Sequence, residues 1–497
     1  MRVFRAAAAV FFKTSGQRRK DFVVFSSLIF LYQFFPLVLL LYFVIPGRFR
    51  TARNLVLLLF SLLFYSWGEP KAIWLMIGSI LLNYVHGWFV QRFCDRGERK
   101  KARAVVISAV VLNLLLLGVF KYANFFLQNI SAVLGREAPL RSIALPIGIS
   151  FYTFQSLSYA VDIYRGEARS QKNIVAFGMY VTFFPQLIAG PIVTFHSIAD
   201  QLKGRTESRD QFSRGISRFL QGLGKKVLLA NSIGLVWEQV SAMPADTLPA
   251  LTAWIGLFAF AFQIYFDFSG YSDMAVGMGL MFGFHFPENF DHPYRSKSIT
   301  EFWRRWHITL SSWFRDYVYI PLGGNRRGLA IQLRNIAIVW ALTGIWHGAS
   351  WNFLLWGVYF GILLMLEKLF LLRWLERLPA ILRHGYALFL ILIGWVLFAF
   401  DDLSAGIAYL GALFGAGGSL LSNDTIYLFY TNLILLVILC IASAGVPQRL
   451  WNLYGRLAVK QPLAASLLGS VGAAAVLLLS TAYLVDASYN PFLYFRF

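Results

Sequence analysis

The sequence predicts an all-α, polytopic membrane protein, and three observations lead to this fold class. Of its 497 residues, 58% are hydrophobic and 14% are charged, whereas soluble domains contain about 45–50% apolar and about 25% charged residues. Apolar runs long enough to form helices recur along the whole chain. One stretch, residues 335–366, contains no Asp, Glu, Lys or Arg. We therefore expect a bundle of helices with roughly ten to twelve membrane crossings.

The apolar runs follow one another at short intervals. In chain order they cover residues 23–45, 54–67, 72–90, 105–120, 143–163, 174–192, 227–240, 251–268, 274–286, 331–346, 351–365, 388–400, 426–444 and 463–485. A full crossing of the hydrocarbon layer needs about 20 residues. Because several runs are shorter, we expect re-entrant or interfacial helices beside the crossing helices.

The first apolar run, residues 23–45, follows four basic residues between positions 13 and 20. This order is also typical of a signal peptide, but the run is too long for a signal-peptide core and lacks a small-x-small cleavage site. We interpret it as a retained anchor. The expected organisation is a basic leader at residues 1–22 and a single membrane domain at residues 23–497.

The formal net charge of +21 suggests nucleic-acid binding at first sight. However, the apolar runs leave no soluble domain that could provide a groove or a stacking platform. The positive-inside rule explains the charge better. The basic residues between positions 92 and 103, and those between 368 and 383, therefore indicate cytoplasmic loops. We expect contact with membrane lipid and none with nucleic acid.

Metal sites and disulfides are not favoured by the cysteine and histidine pattern. Two cysteines, Cys94 and Cys440, cannot form a disulfide framework or a four-cysteine metal site. His285 and His292 lie in a segment rich in Pro, Asn and Asp, where ordinary loop chemistry is the simpler explanation. We predict no metal and no tightly bound cofactor.

His347 is the best candidate for a functional residue. At about 1.5 Å per helical residue, the 13 positions from Arg334 to His347 reach roughly 20 Å into a hydrocarbon layer about 30 Å thick. A titratable ring at that depth is costly and usually serves a function. A neutral imidazole there could accept a proton as a general base.

The neighbours of His347 favour a narrow passage. Gly344 and Gly348 remove side-chain bulk, which lets another helix or a narrow substrate approach. Trp346 and Trp351 are candidates for the walls. The alternative is structural, since an imidazole bonded to a backbone carbonyl can also hold two helices together.

Residues 300–319 are expected to form one amphipathic helix. At about 100° per residue, one face collects Trp303, His307, Leu310, Phe314 and Tyr317. The opposite face collects the basic and polar residues Arg304, Arg305, Thr309, Ser311, Ser312, Arg315 and Asp316. Such a helix lies at the membrane interface or lines a wet cavity. His307 then either lines a reaction chamber or packs on the aromatic face.

Two long segments resemble the membrane-bound O-acyltransferase (MBOAT) family. They are FWRRWHITLSSWFRDYVYIPLGG at residues 302–324 and TGIWHGASWN at residues 343–352. Within the family, the sequence is similar to the bacterial branch that O-acetylates alginate and other exopolysaccharides, the AlgI-like proteins. Further matching segments lie at residues 145–154, 183–191, 265–273 and 492–497.

The resemblance implies a bowl-like helical body with a central, through-going tunnel. In that tunnel the deep histidine, His347, meets an acyl donor from the cytoplasm and an acceptor from the other side. The second histidine of the family falls on His307. Asp316 and Tyr317 lie in the matching Arg-Asp-Tyr motif and are expected to support the site.

The resemblance also implies the reaction partners. Transfer from a thioester to a hydroxyl needs a base and hydrogen-bond donors for the oxyanion. We expect His347 to be the base and His307, Tyr317 or backbone N–H groups to be the donors. Arg304 and Arg315 are candidates for binding an anionic donor, which we expect to be acetyl-CoA. A periplasmic acyltransferase is implied as partner, and the bacterial inner membrane as location.

Three alternatives remain open at this point. One is a D-alanyltransferase for teichoic acid, which belongs to the same family. A eukaryotic-type lipid acyltransferase would be a more distant match. The third, from another class, is a transporter or channel, although the sequence shows no repeated halves with corresponding broken helices.

Overall fold

The computed structural model describes residues 24–135, 143–188, 190–486 and 493. The predicted leader at residues 1–22 and most of the terminal segment 492–497 lie outside the described residues. Every regular element among the described residues is helical, because a backbone in lipid must satisfy its own polar groups. The predicted all-α fold class is confirmed.

The first half of the chain alternates longer and shorter helices and leads to one long helix. They are α1 (Phe35–Val44), α2 (Arg50–Gly68), α3 (Ile73–Asp95), α4 (Arg99–Leu117), α5 (Ala123–Val133), α6 (Ile149–Arg165), α7 (Ile174–Thr182), α8 (Phe184–Leu187), α9 (Phe195–Gly204), α10 (Arg209–Gly224), α11 (Asn231–Ser241) and α12 (Ala250–Met281).

The second half begins with two very short helices and continues with longer ones. These are α13 (Ile299–Arg305), α14 (Ile308–Phe314), α15 (Leu329–His347), α16 (Trp351–Leu366), α17 (Leu372–Leu375), α18 (Ala380–Ala399), α19 (Leu403–Leu413), α20 (Asn423–Ser443), α21 (Val446–Lys460) and α22 (Pro462–Asp486). Turns of π-helix occur at Phe30–Phe34, Gly118–Tyr122, Lys225–Ala230, Arg315–Tyr319 and Glu367–Leu371, and a 3-10 turn at Pro293–Arg295.

Eight helical rods are long and apolar enough to cross a membrane. They are Ile73–Asp95, Arg99–Val133, Ala250–Met281, Leu329–His347, Trp351–Leu375, Ala380–Ala399, Asn423–Ser443 and Pro462–Asp486. Two shorter apolar helices, Phe30–Val44 and Leu403–Leu413, bring this set from eight to ten in the described part of the chain. These two helices are shorter than the roughly 20 residues of a full crossing, so the predicted ten to twelve crossings stay a prediction.

The long helix α12 connects two large hydrophobic cores. Its C-terminal half packs into a core with helices α1 to α3 and α6 to α10. Its N-terminal half packs into a second core with α11, α13, α15, α16 and α18 to α20. A third, smaller cluster, which we call the site wall, comprises Phe151, Phe154, Leu157, Ile192, Leu310, Trp313, Phe314 and Trp346.

The predicted single helix over residues 300–319 was wrong. Helix α13 ends at Arg305, and α14 begins only at Ile308. His307 lies between them with a φ of 45°, in the left-handed region. The loop residue Asn289 satisfies the broken backbone, because its carbonyl accepts from the Ile308 N–H at 3.0 Å and its side-chain oxygen accepts from the Thr309 N–H at 3.3 Å. His307 therefore lies at a break between helices instead of on a helix face.

Candidate active site

His347 is the last residue of α15 and is buried. Its ring lies among aromatic rings, with centroid distances of 4.9 Å to Trp346, 4.9 Å to Trp356 and 5.3 Å to Phe398. Such apolar surroundings disfavour the charged form of an imidazole. His347 is thus buried within the protein, whereas its depth in the membrane and its role as a base remain predictions.

Trp351 does not form a wall of the histidine site, contrary to the expectation from the sequence. Its side chain is 53% exposed, and its indole N–H donates to the Asn129 side-chain oxygen at 3.0 Å. The reason is that α16 begins at Trp351, so the chain has already turned away from His347. Trp356, one helical turn further, takes the place beside the imidazole.

Gly344 and Gly348 make room for α16. A Cβ atom on Gly344 would lie 2.6 Å from the Phe353 carbonyl oxygen, and one on Gly348 would lie 2.2 Å from the Phe353 ring. Both distances are too short for any side chain. The small residues therefore serve close helix packing, the first of the two expected uses.

The C-terminal end of α15 is held by two residues of the π-helical turn Gly118–Tyr122. The Lys121 ammonium donates to the Trp346 carbonyl and, at 3.3 Å, to the His347 carbonyl. The Tyr122 hydroxyl donates to the Ile345 carbonyl at 2.7 Å. The last carbonyls of a helix have no partner within the helix, and a cation is favourable there. Lys121 and Tyr122 thus allow α15 to end at a buried position.

Lys121 was not among the candidate residues predicted from the sequence. Its position carries a signal, because it is an isolated lysine inside the apolar rod Arg99–Val133. An ionisable residue within a membrane helix indicates a functional site as much as a deep histidine does.

A cavity of about 90 Å³ lies beside His347 and Lys121. Its other lining residues include Ser150, whose hydroxyl accepts from the Lys121 ammonium at 3.4 Å. The cavity is small and polar on one side. The through-going tunnel implied by the family resemblance stays a prediction.

His307 lies near the same tryptophan, Trp346. Its ring centroid lies 6.1 Å from that of Trp346 and 4.8 Å from that of Phe268. Its Nδ1 atom lies 3.0 Å from the Asn289 side-chain oxygen, which also accepts from the Thr309 hydroxyl at 2.8 Å. Because that oxygen is an acceptor, the His307 proton lies on Nδ1 and the lone pair on Nε2.

His307 has a strained backbone conformation and a buried imidazole ring. A left-handed conformation in a residue other than glycine costs about 1–3 kcal/mol and is typical of functional sites. Burial lowers the pKa of His307 to about 3, so the imidazole is neutral. Asn289, which fixes the ring, was not identified from the sequence because it lies 18 positions earlier in the chain.

Tyr317 belongs to a separate polar network. Its hydroxyl donates to Asp162 Oδ1 at 2.5 Å, and the other Asp162 oxygen accepts from the His196 N–H and lies 3.0 Å from its Nδ1. The hydrogen bond with Asp162 raises the pKa of His196, and burial together with the Asp162 charge raises the pKa of Tyr317. The Tyr317 hydroxyl is therefore already donated, which argues against its expected use as an oxyanion donor.

The ligand-type atoms of Asp162, Glu167 and His196 lie within 4.8 Å of one another. Both Asp162 oxygens accept the hydrogen bonds from Tyr317 and His196, so the cluster is explained as a hydrogen-bonded network.

A stack of aromatic rings connects this network to the histidines. Tyr317 stacks on Trp313 at 5.0 Å, Trp313 on Phe154 at 3.9 Å, and Phe154 on Trp346 at 5.6 Å. The structure thus brings both His307 and His347 close to Trp346, and Tyr317 lies three ring contacts from Trp346.

The two candidate donor-binding arginines have different surroundings. The Arg315 guanidinium makes two hydrogen bonds to the neighbouring Asp316 carboxylate, at 2.7 and 3.0 Å. The Asp316 carbonyl accepts a bond from Arg165 at 2.8 Å. Arg304 is exposed at the end of α13. Their role in binding a donor remains a prediction, as does the supporting role of Asp316.

Comparisons with known proteins identify the family. The family model described as MBOAT, membrane-bound O-acyltransferase family, matches residues 149–400, a range that contains both histidines. A protein of Pseudomonas putida named "Probable alginate O-acetylase AlgI" is 40% identical over 493 residues, covering 96% of this chain and 100% of the relative.

Two further relatives cover most of the chain. A protein of Pseudomonas syringae pv. tomato with the same name is 43% identical over 81% of this chain and 77% of its own length. A "Peptidoglycan O-acetyltransferase" of Helicobacter pylori is 32% identical over 80% of both chains. The chain therefore belongs to the membrane-bound O-acyltransferase family, in its AlgI-like branch, and is a multi-pass membrane acyltransferase.

Proposed function

We propose that this enzyme moves an acetyl group from acetyl-CoA on the cytoplasmic side of a bacterial inner membrane for the O-acetylation of an exopolysaccharide such as alginate. The observation that carries the proposal is the buried His347 beside a cavity that Lys121 also lines. The names of the AlgI relatives support the acetyl group and the polymer. The peptidoglycan O-acetyltransferase relative supports the same transfer to a different polymer.

In the proposed reaction, His347 takes the proton of an acceptor hydroxyl. The hydroxyl oxygen attacks the thioester carbonyl carbon, and the carbon–sulfur bond breaks. The leaving thiolate takes the proton from the His347 imidazolium, which returns the imidazole to its neutral form. A neutral imidazole in apolar surroundings suits this task, because the base must be unprotonated before it acts. Backbone N–H groups near the cavity are then the donors for the oxyanion.

His307 has a different proposed task. Its Nδ1 proton is donated to Asn289, so its Nε2 offers a lone pair rather than a proton. We assign it to orienting the acceptor hydroxyl or His347 instead of stabilising the oxyanion. The strained backbone of His307 holds the ring in one orientation, which favours a precise geometry.

The acetyl group must still reach a secreted polymer. We propose that a soluble periplasmic acyltransferase takes the group from the membrane enzyme and completes the transfer. The arginines proposed to attract the anionic acetyl-CoA remain Arg304, which is exposed at the end of α13, and Arg315, which is paired with Asp316.

The test is acetyl transfer from radiolabelled acetyl-CoA by the protein reconstituted in vesicles. His347→Ala should lose at least about 10²-fold in rate, the lower range for losing a general base, and should keep its Tm. His86→Ala is the control, since His86 also lies in a membrane helix, α3, but is only half-buried there, and its ring nitrogens lie 2.8 Å from the Leu82 carbonyl and 3.2 Å from the Ser108 hydroxyl. Normal turnover in a folded His347→Ala protein would refute the assignment of the base.

The polymer is tested in cells. Deletion of the gene, and replacement by the His347→Ala variant, should both leave polymer secretion intact and remove its ester acetate. Loss of acetate from peptidoglycan, or of D-alanine from teichoic acid, would contradict the exopolysaccharide assignment. Labelled solute movement across the vesicle without any acylated product would favour a transporter.

A further inference from the structure

A crevice of about 750 Å³ opens between the membrane helices α12, α18 and α20, separate from the His347 cavity. Its walls are almost entirely apolar, with Phe258, Leu388 and Phe429 as typical members. The volume lies in the range of about 300–1,000 Å³ that is usual for ligand sites. All three helices are candidate membrane crossings, so the crevice faces lipid and not water.

Polar side chains collect at one end of the crevice. Arg295, His384 and Ser443 all line it there. The Arg295 side chain makes no ion pair or hydrogen bond within the described part of the chain. The Ser443 hydroxyl is buried and has no hydrogen-bond partner among the same residues. A buried hydroxyl without a partner is costly and indicates a missing ligand.

The N-terminus of α21 adds positive potential at the same place. This 15-residue helix starts at Val446, directly after Gly445. A Cβ atom on Gly445 would lie 2.7 Å from Arg295 Nη1, so the guanidinium lies against the start of the helix. The N-terminus of a helix carries a partial positive charge and binds anions. The arginine and the helix end repel each other, and an anion between them would stabilise both.

We propose that the crevice binds one anionic glycerophospholipid of the surrounding membrane. Its phosphate accepts hydrogen bonds from Arg295, from the Ser443 hydroxyl and from the first N–H groups of α21. An acyl chain then extends along the apolar walls towards Ile426. The distance from Ser443 to Ile426 along α20 is about 25 Å at 1.5 Å per residue, enough for the chain of one leaflet in a layer about 30 Å thick.

The charge pattern assigns the headgroup to the cytoplasmic leaflet. Helix α18, which carries His384 near its start, follows the basic segment of residues 368–383 that the positive-inside rule places in the cytoplasm. Anionic lipids on that side attract basic residues near the surface. The proposal is independent of the reaction at His347.

The native cysteines offer a direct test. Cys440 lines the crevice and is exposed, and Cys94 is the only other cysteine of the chain. In a Cys94→Ser protein in detergent, the alkylation rate of Cys440 by N-ethylmaleimide is measured against added phosphatidylglycerol and against phosphatidylcholine. Phosphatidylglycerol should slow the reaction at concentrations at least about tenfold lower than phosphatidylcholine, because the choline cation of phosphatidylcholine offsets its phosphate charge beside Arg295 and the helix N-terminus, and tenfold corresponds to only about 1.4 kcal/mol.

Arg295→Gln should abolish the difference between the two lipids. Arg326→Gln, which changes another exposed arginine outside the crevice, should keep it. Equal protection by both lipids, or an unchanged preference in Arg295→Gln, would overturn the proposal.

A second variant tests lipid binding without changing Arg295, in case Arg295→Gln impairs folding. Cys440→Trp obstructs the crevice about one helical turn from Ser443 without changing Arg295, and native mass spectrometry of the purified protein then counts bound phosphatidylglycerol. The parent protein should retain one anionic lipid and the Cys440→Trp protein none, with acetyl transfer unaffected in detergent. Retention of the lipid by the obstructed crevice would also overturn the proposal.

Discussion

Replacement of Lys121 by methionine tests how α15 is held at its buried end. The change keeps the length of the side chain but removes the ammonium that donates to the carbonyls of Trp346 and His347. Two buried carbonyls then lose a partner, at about 1–3 kcal/mol each. The methionine also removes the cost of burying an ammonium, which is several kcal/mol. This gain offsets a similar amount of the lost hydrogen-bond energy. The net change in the free energy of unfolding is therefore small.

The effect on catalysis is expected to be much larger than the effect on stability. His347 is the last residue of α15, so a loosened helix end moves the imidazole directly. A displacement of about 1 Å can cost about 10²-fold in rate. We expect Lys121→Met to reduce kcat at least about tenfold with little change in KM, since a positioning residue acts through the base.

The assay combines acetyl transfer in vesicles with thermal unfolding in detergent. Lys121→Gln keeps an N–H donor and should recover part of the activity. Tyr122→Phe is the matched control, because it removes a hydrogen bond from the same helix end, that to Ile345, without removing a charge. It should cost less than Lys121→Met. A Lys121→Met protein with normal kcat, or a loss of activity explained wholly by a lower Tm, would refute the positioning role.

Three further predictions concern other parts of the site. His307→Gln should lower the acetyl-transfer rate at least about tenfold without a lower Tm, and a stable, fully active variant would return His307 to a packing role. Gly344→Ala should lower the Tm, because its Cβ atom would lie 2.6 Å from the Phe353 carbonyl oxygen; an unchanged Tm would contradict the close contact of α15 and α16. The pKa of His196 is raised by Asp162, so the stabilisation by this pair is fully present below the unfolded pKa of about 6.5 and is lost as the pH rises through the raised pKa. His196→Gln should therefore reduce the Tm more at about pH 5.5 than at about pH 8.5, by a small amount because the ring is partly exposed to solvent, and an equal reduction at both pH values would contradict the linkage.

The all-α membrane fold and the position of His347 along a membrane helix could be predicted from the sequence for physical reasons. A backbone in lipid has few alternatives to the helix, and the depth of a residue on a helix depends only on the rise per residue. Both inferences need local information alone. They agree with a helix α15 that ends at His347.

The break at His307 and the role of Lys121 could not be predicted in the same way. The break depends on Asn289, whose side chain satisfies the Thr309 N–H across 20 positions, and helical periodicity carries no record of such a contact. Lys121 bonds to the Trp346 carbonyl across 225 positions. The prediction of one helix over residues 300–319 assumed that the local sequence determines the backbone conformation. The contact with Asn289, a loop residue distant in sequence, determines it instead.

The site wall belongs to neither of the two large hydrophobic cores. Of its members, Phe151 and Trp346 also line the cavity beside His347. A change of size at these two positions should therefore act first on the shape of the cavity, and with it on the acyl group or acceptor that fits, and less on the two large cores. Directed evolution for a new acyl donor should begin with these wall positions.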